Sequence, residues 1–359
     1  MSVLQRVSAV AGALVAALVL PAAAGAATKV VTMGIPADRA QSFQERYQTD
    51  VNAFFPNKVT VRVGDKVAFV AQGFHNADVP ARGEGGLPLL APTGQQVAGA
   101  TDAAGAPFWF NGQPELGFNP ELAQPNFGKT VRTTGAERVN SGLPLGERLR
   151  PFVVRFDRAG TYTVLCDVHP GMRATVRVVP KGRHVPSRRA DARRVDRQVD
   201  AAMRVTRRIA DAEPPAGTVD LGVAGPGGVE RLAMVPATIT VSRGSSVTFR
   251  MTRGSYEVHT ATFGPGNPAS EPTSYLGALA ASFEQPVVSP LALYPSDAPG
   301  TPSLVTATTH GNGFFNTGVL DRGDETPFGA DATVQFPETG TFTYWCLVHP
   351  FMRGEVVVR

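Results

Sequence analysis

Histidine and cysteine are scarce in this sequence, which has six histidines and two cysteines in 359 residues. It contains no His-x-His pair and no His-Cys-His triplet, so a metal cluster that needs many imidazoles is excluded. After residue 27 no apolar run is long enough to cross a bilayer, and we expect no integral membrane span in the mature chain. A hydrophobic content of 43% excludes wholesale disorder.

Residues 1–27 have the pattern of a cleaved secretory signal peptide. Arg6 lies in a short first region, an apolar core runs to about Leu20, and a proline and small residues follow. We expect cleavage near Ala26 or Ala27. The alternative, an uncleaved anchor, is disfavoured by the short apolar core, and a lipoprotein anchor is excluded because no cysteine follows. The predicted location is extracytoplasmic, in the periplasm or secreted.

A Cys-x2-His-x2-Met motif occurs twice, once in residues 161–179 and once in residues 341–358. Thiolate, imidazole and thioether together form a soft ligand set that suits copper. The candidate ligands are Cys166, His169 and Met172 in the first copy and Cys346, His349 and Met352 in the second.

A trigonal His2Cys copper site with a weak axial Met needs a second imidazole from elsewhere in the fold. His75 and His259 each follow an alternating run typical of a half-buried strand, and each half therefore supplies one. In an oxidising compartment, a disulfide between Cys166 and Cys346 is the alternative to two metal ligands. The His-Pro-x-Met that follows each cysteine favours two separate thiolate ligands.

With these eight positions, the chain resembles two tandem blue (type 1) copper domains, cupredoxins of the plastocyanin type. The loop CLVHPFMR at residues 346–353 resembles that of the amicyanins and runs into a Val-rich last strand; the first copy departs from it at Gly171, where the second has Phe351. The resemblance implies one copper ion per domain, two in total. It also implies that the loop imidazoles of His169 and His349 lie near the surface in an apolar patch. We expect the two sites to differ in potential or partner.

The repeat is regular, because both cysteines, both loop histidines and both methionines lie 180 residues apart. Abundant glycine and proline favour a β-sandwich. The predicted fold class is all-β, with two Greek-key β-sandwich (cupredoxin-like) domains joined by a helical linker. The first domain is predicted at residues 28–180, the linker at 181–216 and the second domain at 217–359. In the first half, residues 59–63 are predicted to pair with residues 66–70 around a turn at Gly64-Asp65, and the second half repeats this arrangement.

Residues 181–213 hold ten Lys or Arg against five Asp or Glu, with helical apolar spacing that Pro214 ends. The basic charge therefore reflects the linker, and we expect no nucleic-acid partner. The helix is predicted to lie against one or both domains, with Met203 as a packing residue. Its basic face is predicted either to dock on the acidic second domain, on anionic lipid or on a redox partner, or to be exposed to solvent. The long inserts, residues 79–144 and 265–328, form either a collar around the copper edge or a cover on the sandwich ends.

The predicted function is electron transfer by an exported protein with two blue copper sites, whose partner is a redox protein or a copper donor or acceptor. We expect no enzyme activity, since only His184 and His310 remain outside the ligand set. Copper sequestration or delivery is the alternative, and a metal-free interaction module is a further one. A catalytic copper shared between subunits through His310 is a minor alternative; His310 is otherwise expected to be a hydrogen-bonding loop residue.

Overall fold

The structure is a computed structural model and describes residues 26–146, 149–322 and 328–359. Residues 1–25 of the predicted signal peptide, which spans residues 1–27, therefore lie outside the described residues. In the part of the chain that is described, no helix combines the length and the apolar character needed to span a membrane.

The first half is built mainly of strands, with one helix, α1, at Ala37–Tyr47. Its strands are β1 (Thr28–Met33), β2 (Thr49–Val51), β3 (Phe54–Phe55), β4 (Lys58–Arg62), β5 (Lys66–Ala71), β6 (Asp78–Val79), β7 (Leu90–Gln96), β8 (Pro114–Phe118), β9 (Thr130–Thr133), β10 (Val139–Asn140), β11 (Phe152–Phe156), β12 (Gly160–Leu165) and β13 (Arg173–Val179). A short 3-10 helix covers Pro120–Ala123.

The second half follows a long helix, α2, at Arg188–Ile209, and contains two short helices, α3 (Tyr275–Ala281) and α4 (Pro290–Leu293). Its strands are β14 (Thr218–Gly225), β15 (Val229–Val235), β16 (Thr238–Val241), β17 (Ser246–Arg250), β18 (Thr262–Phe263), β19 (Ser303–Leu304), β20 (Phe315–Asn316), β21 (Asp331–Gln335), β22 (Gly340–Trp345) and β23 (Arg353–Val358). Single 3-10 turns cover Ser282–Glu284 and Thr309–Gly311.

Each half forms a two-sheet sandwich, and the sheet that carries the cysteine strand has the same order in both. It runs β10-β6-β12-β13-β4 in the first half and β20-β18-β22-β23-β16 in the second. The facing sheets are β3-β1-β5-β11-β9 and β19-β21-β17-β14-β15-β2. Apolar residues alternate along these strands and fill one core per sandwich, as in β11 and β13. The predicted all-β fold class with a helical linker is confirmed.

The predicted hairpin of residues 59–63 and 66–70 is wrong. β4 pairs with β13, whereas β5 pairs with β1 and β11 in the opposite sheet. Val61 on β4 and Phe69 on β5 are both buried in the core between the sheets. β16 and β17 separate in the same way. Alternation shows which face of a strand is buried but does not name its partner, so the turn at Gly64 is a corner between sheets.

The two sandwiches are joined by a shared sheet. β2, from the first half, pairs antiparallel with β15, placing Val51 opposite Val229 and Asp50 opposite Glu230. It is therefore the edge strand of the second half's six-stranded sheet. Strand β2 thus completes the second sandwich and fixes the two halves against each other.

Helix α2 packs against both sandwiches. Ser187 caps its first turn, accepting a hydrogen bond from the N–H of Ala190. Its apolar face enters a core shared with α1, β3 and the β14–β15 pair; Val199, Ala202 and Ile209 are buried there, and Met203 packs at the edge. The solvent face keeps most of the arginines. The helix is a structural bridge between two domains.

The long inserts pack on each other and form a core of their own. Phe108 and Phe110 of the first insert lie with Tyr294 and Phe314 of the second, and Trp345 and Leu347 border the same core. Trp345 and Leu347 flank Cys346, so this core supports the second metal loop from outside the sandwich. The inserts thus also connect the two halves, and the collar and the cover stay predictions.

Candidate metal centres

The first cluster lies where β12 ends and the loop to β13 begins. Cys166 follows β12, His169 lies on the loop, and His75 follows β5 on the facing sheet. The Nδ1 atoms of His75 and His169 are 3.0 Å apart. The Sγ of Cys166 is 3.9 Å from Nδ1 of His75 and 3.6 Å from Nδ1 of His169. All three side chains are buried.

The second cluster repeats this geometry at the end of β22. The Nδ1 atoms of His259 and His349 are 3.2 Å apart. The Sγ of Cys346 lies 3.6 Å from Nδ1 of His259 and 3.9 Å from Nδ1 of His349. In both clusters the donor atoms all lie within 4.8 Å of one another. Both cysteines are free thiols, so the disulfide alternative does not hold in this structure.

The methionines close each loop through the backbone. The N–H of Cys166 donates to the carbonyl of Met172 at 3.0 Å, and the N–H of Met172 donates to the carbonyl of His169 at 3.0 Å. The second loop has the same two bonds, at 3.0 and 2.8 Å. Met172 and Met352 are each buried in the same core as the cysteine of their loop. The Cys-x2-His-x2-Met spacing thus produces one closed turn in both halves.

The donor positions fit a trigonal His2Cys copper site. Bonds of about 2.0 Å from metal to nitrogen and about 2.3 Å from metal to sulfur place two nitrogens about 3.5 Å apart and each nitrogen about 3.8 Å from the sulfur. The separations in both clusters are within about half an ångström of these values. A thiolate, two imidazoles and a nearby thioether are the donors that a blue copper site requires.

The strand histidines are enclosed on their far side by glycines. A Cβ on Gly34 would lie 2.9 Å from Nε2 of His75, and one on Gly222 would lie 2.9 Å from Nε2 of His259. Both glycines have positive φ. Neither Nε2 has a hydrogen-bond partner. The rings are therefore fixed by packing, with Nδ1 toward the cysteine.

The loop histidines lie between the two domains, which corrects the expectation that they face the outer surface. Nε2 of His169 is 3.2 Å from Oε1 of Glu257, and Nε2 of His349 is 3.6 Å from Oε2 of the same carboxylate. Asn52 donates to Oε1 at 2.8 Å. The two candidate centres thus face each other across one glutamate, because β2 and β15 hold the domains together at this point.

A cavity of about 430 Å³ opens beside this contact. Both loop histidines and Glu257 line it together with Phe351, which is 59% exposed, and Phe74, which is 42% exposed. The apolar patch expected around Phe351 is therefore present, but it borders both centres.

The buried charges at this contact support one another. Burial alone would raise the pKa of Glu257, but the adjacent His169 and His349 hold that pKa well below its usual range. Burial would likewise lower the pKa of His169, yet the Glu257 charge raises it well above the ordinary histidine value. His349 is shifted upward as well, by Cys346 and Glu257 against the effect of burial. The carboxylate of Glu257 and the two loop imidazoles therefore each favour the charged form of the other.

The second thiol is prepared for ionisation. Burial by itself would raise the pKa of Cys346, but hydrogen bonds and charges from His259 and His349 lower it well below the usual value. Two backbone N–H groups also reach its sulfur, from His349 at 3.3 Å and from Thr260 at 3.5 Å. A thiolate is the form that binds a metal.

The residue after each cysteine differs between the centres. Asp167 accepts hydrogen bonds from Asn76 at 2.7 Å and from the N–H of Leu87 at 2.8 Å, and it is buried. The corresponding residue in the second copy is Leu347, part of the insert core. The residue that follows the cysteine is thus a buried acid in the first centre and an apolar residue in the second.

Of the two histidines outside the clusters, His310 has a defined place between the inserts. Its Nδ1 is 3.3 Å from Asp102 and its Nε2 is 3.6 Å from Asp297, while its ring packs 4.9 Å from that of Phe108. It bonds to carboxylates, as expected of a loop residue. His184 lies in the exposed segment before α2.

No protein-family model matches the chain, and no curated protein matches it. Solved amicyanin structures do match: a reduced Cu(I) variant at pH 4 at 19% identity, covering 42% of this chain and 88% of that chain with a TM-score of 0.22. Amicyanin from Paracoccus versutus (Thiobacillus versutus) matches at 17% identity, covering 42% and 87%, also with a TM-score of 0.22. Because these TM-scores are low, the fold class is assigned from the sheets described above and not from the amicyanin structures.

Sequence reasoning missed Glu257. The residue stands two positions before His259, and the corresponding position before His75 is Gly73. Comparing the two copies gives no signal for it, because only one copy has the carboxylate. Its role depends on how the domains face each other, which the motif spacing does not contain.

Proposed function

We propose that this protein is an exported electron carrier with two type 1 copper sites, one per domain. The observation that carries the proposal is the pair of matched clusters, in which two Nδ1 atoms and one thiol sulfur converge within 4.8 Å in each half. The proposed ligands are His75, Cys166, His169 and Met172 in the first site and His259, Cys346, His349 and Met352 in the second.

Copper supplies a one-electron couple when it is bound by such a donor set. The chain's part is to keep the donors in one geometry. Each strand histidine is enclosed by a glycine-lined wall, and each loop is closed by two backbone hydrogen bonds. Rigid ligands reduce the rearrangement that accompanies a change of charge, as an electron carrier needs.

Burial of the ligands favours a carrier over the copper-delivery alternative. His75, Cys166, His259 and Cys346 are each at most 3% exposed, so a metal held there is not readily handed to another protein. The minor alternative of a catalytic copper using His310 is disfavoured, because that side chain contacts Asp102 and Asp297 within the chain. We therefore propose no enzyme activity, and a redox protein as the partner.

A Cu(II) titration of the copper-free mature protein tests the proposal. We expect two equivalents to bind with the intense visible absorption of thiolate-to-copper charge transfer. Cys166→Ser and Cys346→Ser are matched variants, and each should remove one equivalent and its share of the band. Ser187→Ala, which changes only the cap of α2, is the control and should leave the endpoint at two.

The outcome separates the candidate functions. Two equivalents with the visible band support electron transfer. Binding without the band, or copper that a chelator removes rapidly, supports sequestration or delivery. Absence of binding contradicts both and supports a metal-free interaction module.

A further inference from the structure

Glu257 occupies an unusual position for a buried acid. It is 9% exposed, and the ion pairs of the described residues give it histidine partners without any lysine or arginine. A buried carboxylate costs free energy unless it is paired and hydrogen-bonded. Here His169 and His349 pair with it, one on each carboxylate oxygen, and Asn52 adds a hydrogen bond.

The fold holds this contact from several sides. β2 and β15 pair across the domains next to it. Tyr256, the residue before Glu257, packs against Gly171 of the first metal loop; a Cβ on Gly171 would lie 2.5 Å from the tyrosine ring. Glu230, directly opposite Asp50 in the β2–β15 pair, accepts from the N–H of Tyr256 at 3.2 Å. The packing at the domain interface therefore fixes the position of the Glu257 side chain.

Each loop histidine thus has two functional faces. Its Nδ1 points to the cysteine of its own centre, and its Nε2 points to the shared carboxylate. Three side chains, His169, Glu257 and His349, therefore connect one centre to the other.

We infer that Glu257 joins the two centres into one unit in which an electron passes between them inside the chain. The inference rests on the proposed function, since both centres must hold copper. With copper held by both sets of ligands, one electron would leave the reduced ion of one site and reach the oxidised ion of the other. No bond forms or breaks, the total charge is unchanged, and no further reactant is needed. Glu257 acts as a positioning residue that holds the two imidazole edges on a common carboxylate.

The first test uses copper-free protein and reads the contact directly. Glu257→Gln keeps the size of the side chain and a hydrogen-bonding group for Asn52. Glu121→Gln, on the exposed 3-10 helix at Pro120–Ala123, is the matched control. We expect the ring nitrogen signals of both His169 and His349 in NMR spectra to shift in Glu257→Gln and to stay unchanged in the control. A change at neither histidine, or at only one, would overturn the shared contact.

The second test uses copper-loaded protein. A pulse that adds one electron per molecule should be followed by re-equilibration between the sites at a rate independent of protein concentration. The spectra of Cys166→Ser and Cys346→Ser identify each site. We expect Glu257→Gln to slow this phase at least about tenfold, the usual size of an effect beside a metal ligand, while the copper stoichiometry remains as in the control.

The outcomes separate this inference from the proposed function. Two blue sites with an exchange rate that Glu257→Gln leaves unchanged would overturn the inference and leave the electron carrier intact. Two blue sites without a concentration-independent phase would do the same. A chain that binds no copper would overturn both, and the NMR result would still report whether the glutamate joins the histidines.

Discussion

The two metal loops differ at the position where the first loop packs against the second domain. Gly171 in the first loop has φ near +97° and lies under the ring of Tyr256 from the second domain. Its counterpart Phe351 is 59% exposed. From sequence, the glycine suggests a barer patch, but the structure shows a covered one. The copies thus diverged where one loop became an interface and the other kept a free surface.

A second difference concerns packing within each sandwich. In the first half Val164 is opposite Ala174, and in the second Tyr344 is opposite Gly354. A Cβ on Gly354 would overlap the Tyr344 ring. The larger strand residue is therefore matched by the smaller partner, and the space below each metal loop is filled in both halves.

The largest effect is expected from making the first loop like the second. Gly171→Phe places a side chain in a left-handed backbone conformation and against Tyr256, and we expect it to lower the free energy of unfolding by about 3 kcal/mol or more. Urea unfolding measures the loss. The reverse change on the free loop, Phe351→Ala, should cost less than about 0.5 kcal/mol because that side chain is largely exposed. Equal losses would contradict the close packing of Gly171 under Tyr256.

Exchanging the paired core residues should give the next largest effect. Gly354→Ala is expected to destabilise the protein by about 2 kcal/mol through overlap with Tyr344. Adding Tyr344→Val reproduces the pair of the first half and should remove part of that loss. A double-mutant cycle should show favourable coupling of more than about 0.5 kcal/mol. Strict additivity of the two changes would show that the pairs are not matched.

The residue after the cysteine should separate the two reduction potentials. Asp167 is a buried acidic residue next in sequence to Cys166, whereas Cys346 is followed by Leu347 and has two N–H groups on its sulfur. We expect the first site to have the lower potential, since negative charge favours the oxidised ion. In the Cys346→Ser background, Asp167→Asn should raise the first site's potential by about 60 mV, one tenfold factor for a one-electron couple.

Redox titration of the two single-site cysteine variants checks that order. Asp331→Asn, at an exposed position on β21, is the matched control and should leave the potential unchanged. Identical potentials in the two single-site proteins would contradict the expected difference.

The smallest effect is expected at the contact between the two inserts, where the second insert supplies the one histidine, His310. The nearby carboxylate of Asp297, with that of Asp102, raises the pKa of His310 against the effect of burial. Because the pKa of His310 is raised in the folded state, the stability that its protonated form contributes is fully present below the unfolded-state pKa of about 6.5. That contribution is lost as the pH rises through the folded-state pKa. His310→Gln should therefore lower stability by about 1 kcal/mol at about pH 5.5 and by less at about pH 9. An equal loss at both pH values would contradict the ion pair.

Much of each centre was predictable from sequence because its ligands are close along the chain. Cys166, His169 and Met172 occupy one closed turn, so their spacing carries their geometry. His75 was predictable as the end of an alternating strand. Strand positions near the ligands were also predictable, and β13 begins and ends where the alternation does. The partner of β4 was not, because alternation is the same whichever sheet a strand joins.

The sequence by itself determined the two soft donor sets, the tandem repeat and the amphipathic helix between its halves, because each is written in local spacing and periodicity. Only the tertiary structure decided that β2 belongs to the second domain's sheet, that the inserts form a core of their own and that Glu257 stands between the loop histidines. Those features arise from contacts between residues far apart along the chain, such as Asp50 and Glu230. Local pattern sets which face of an element is buried, whereas long-range packing selects what buries it.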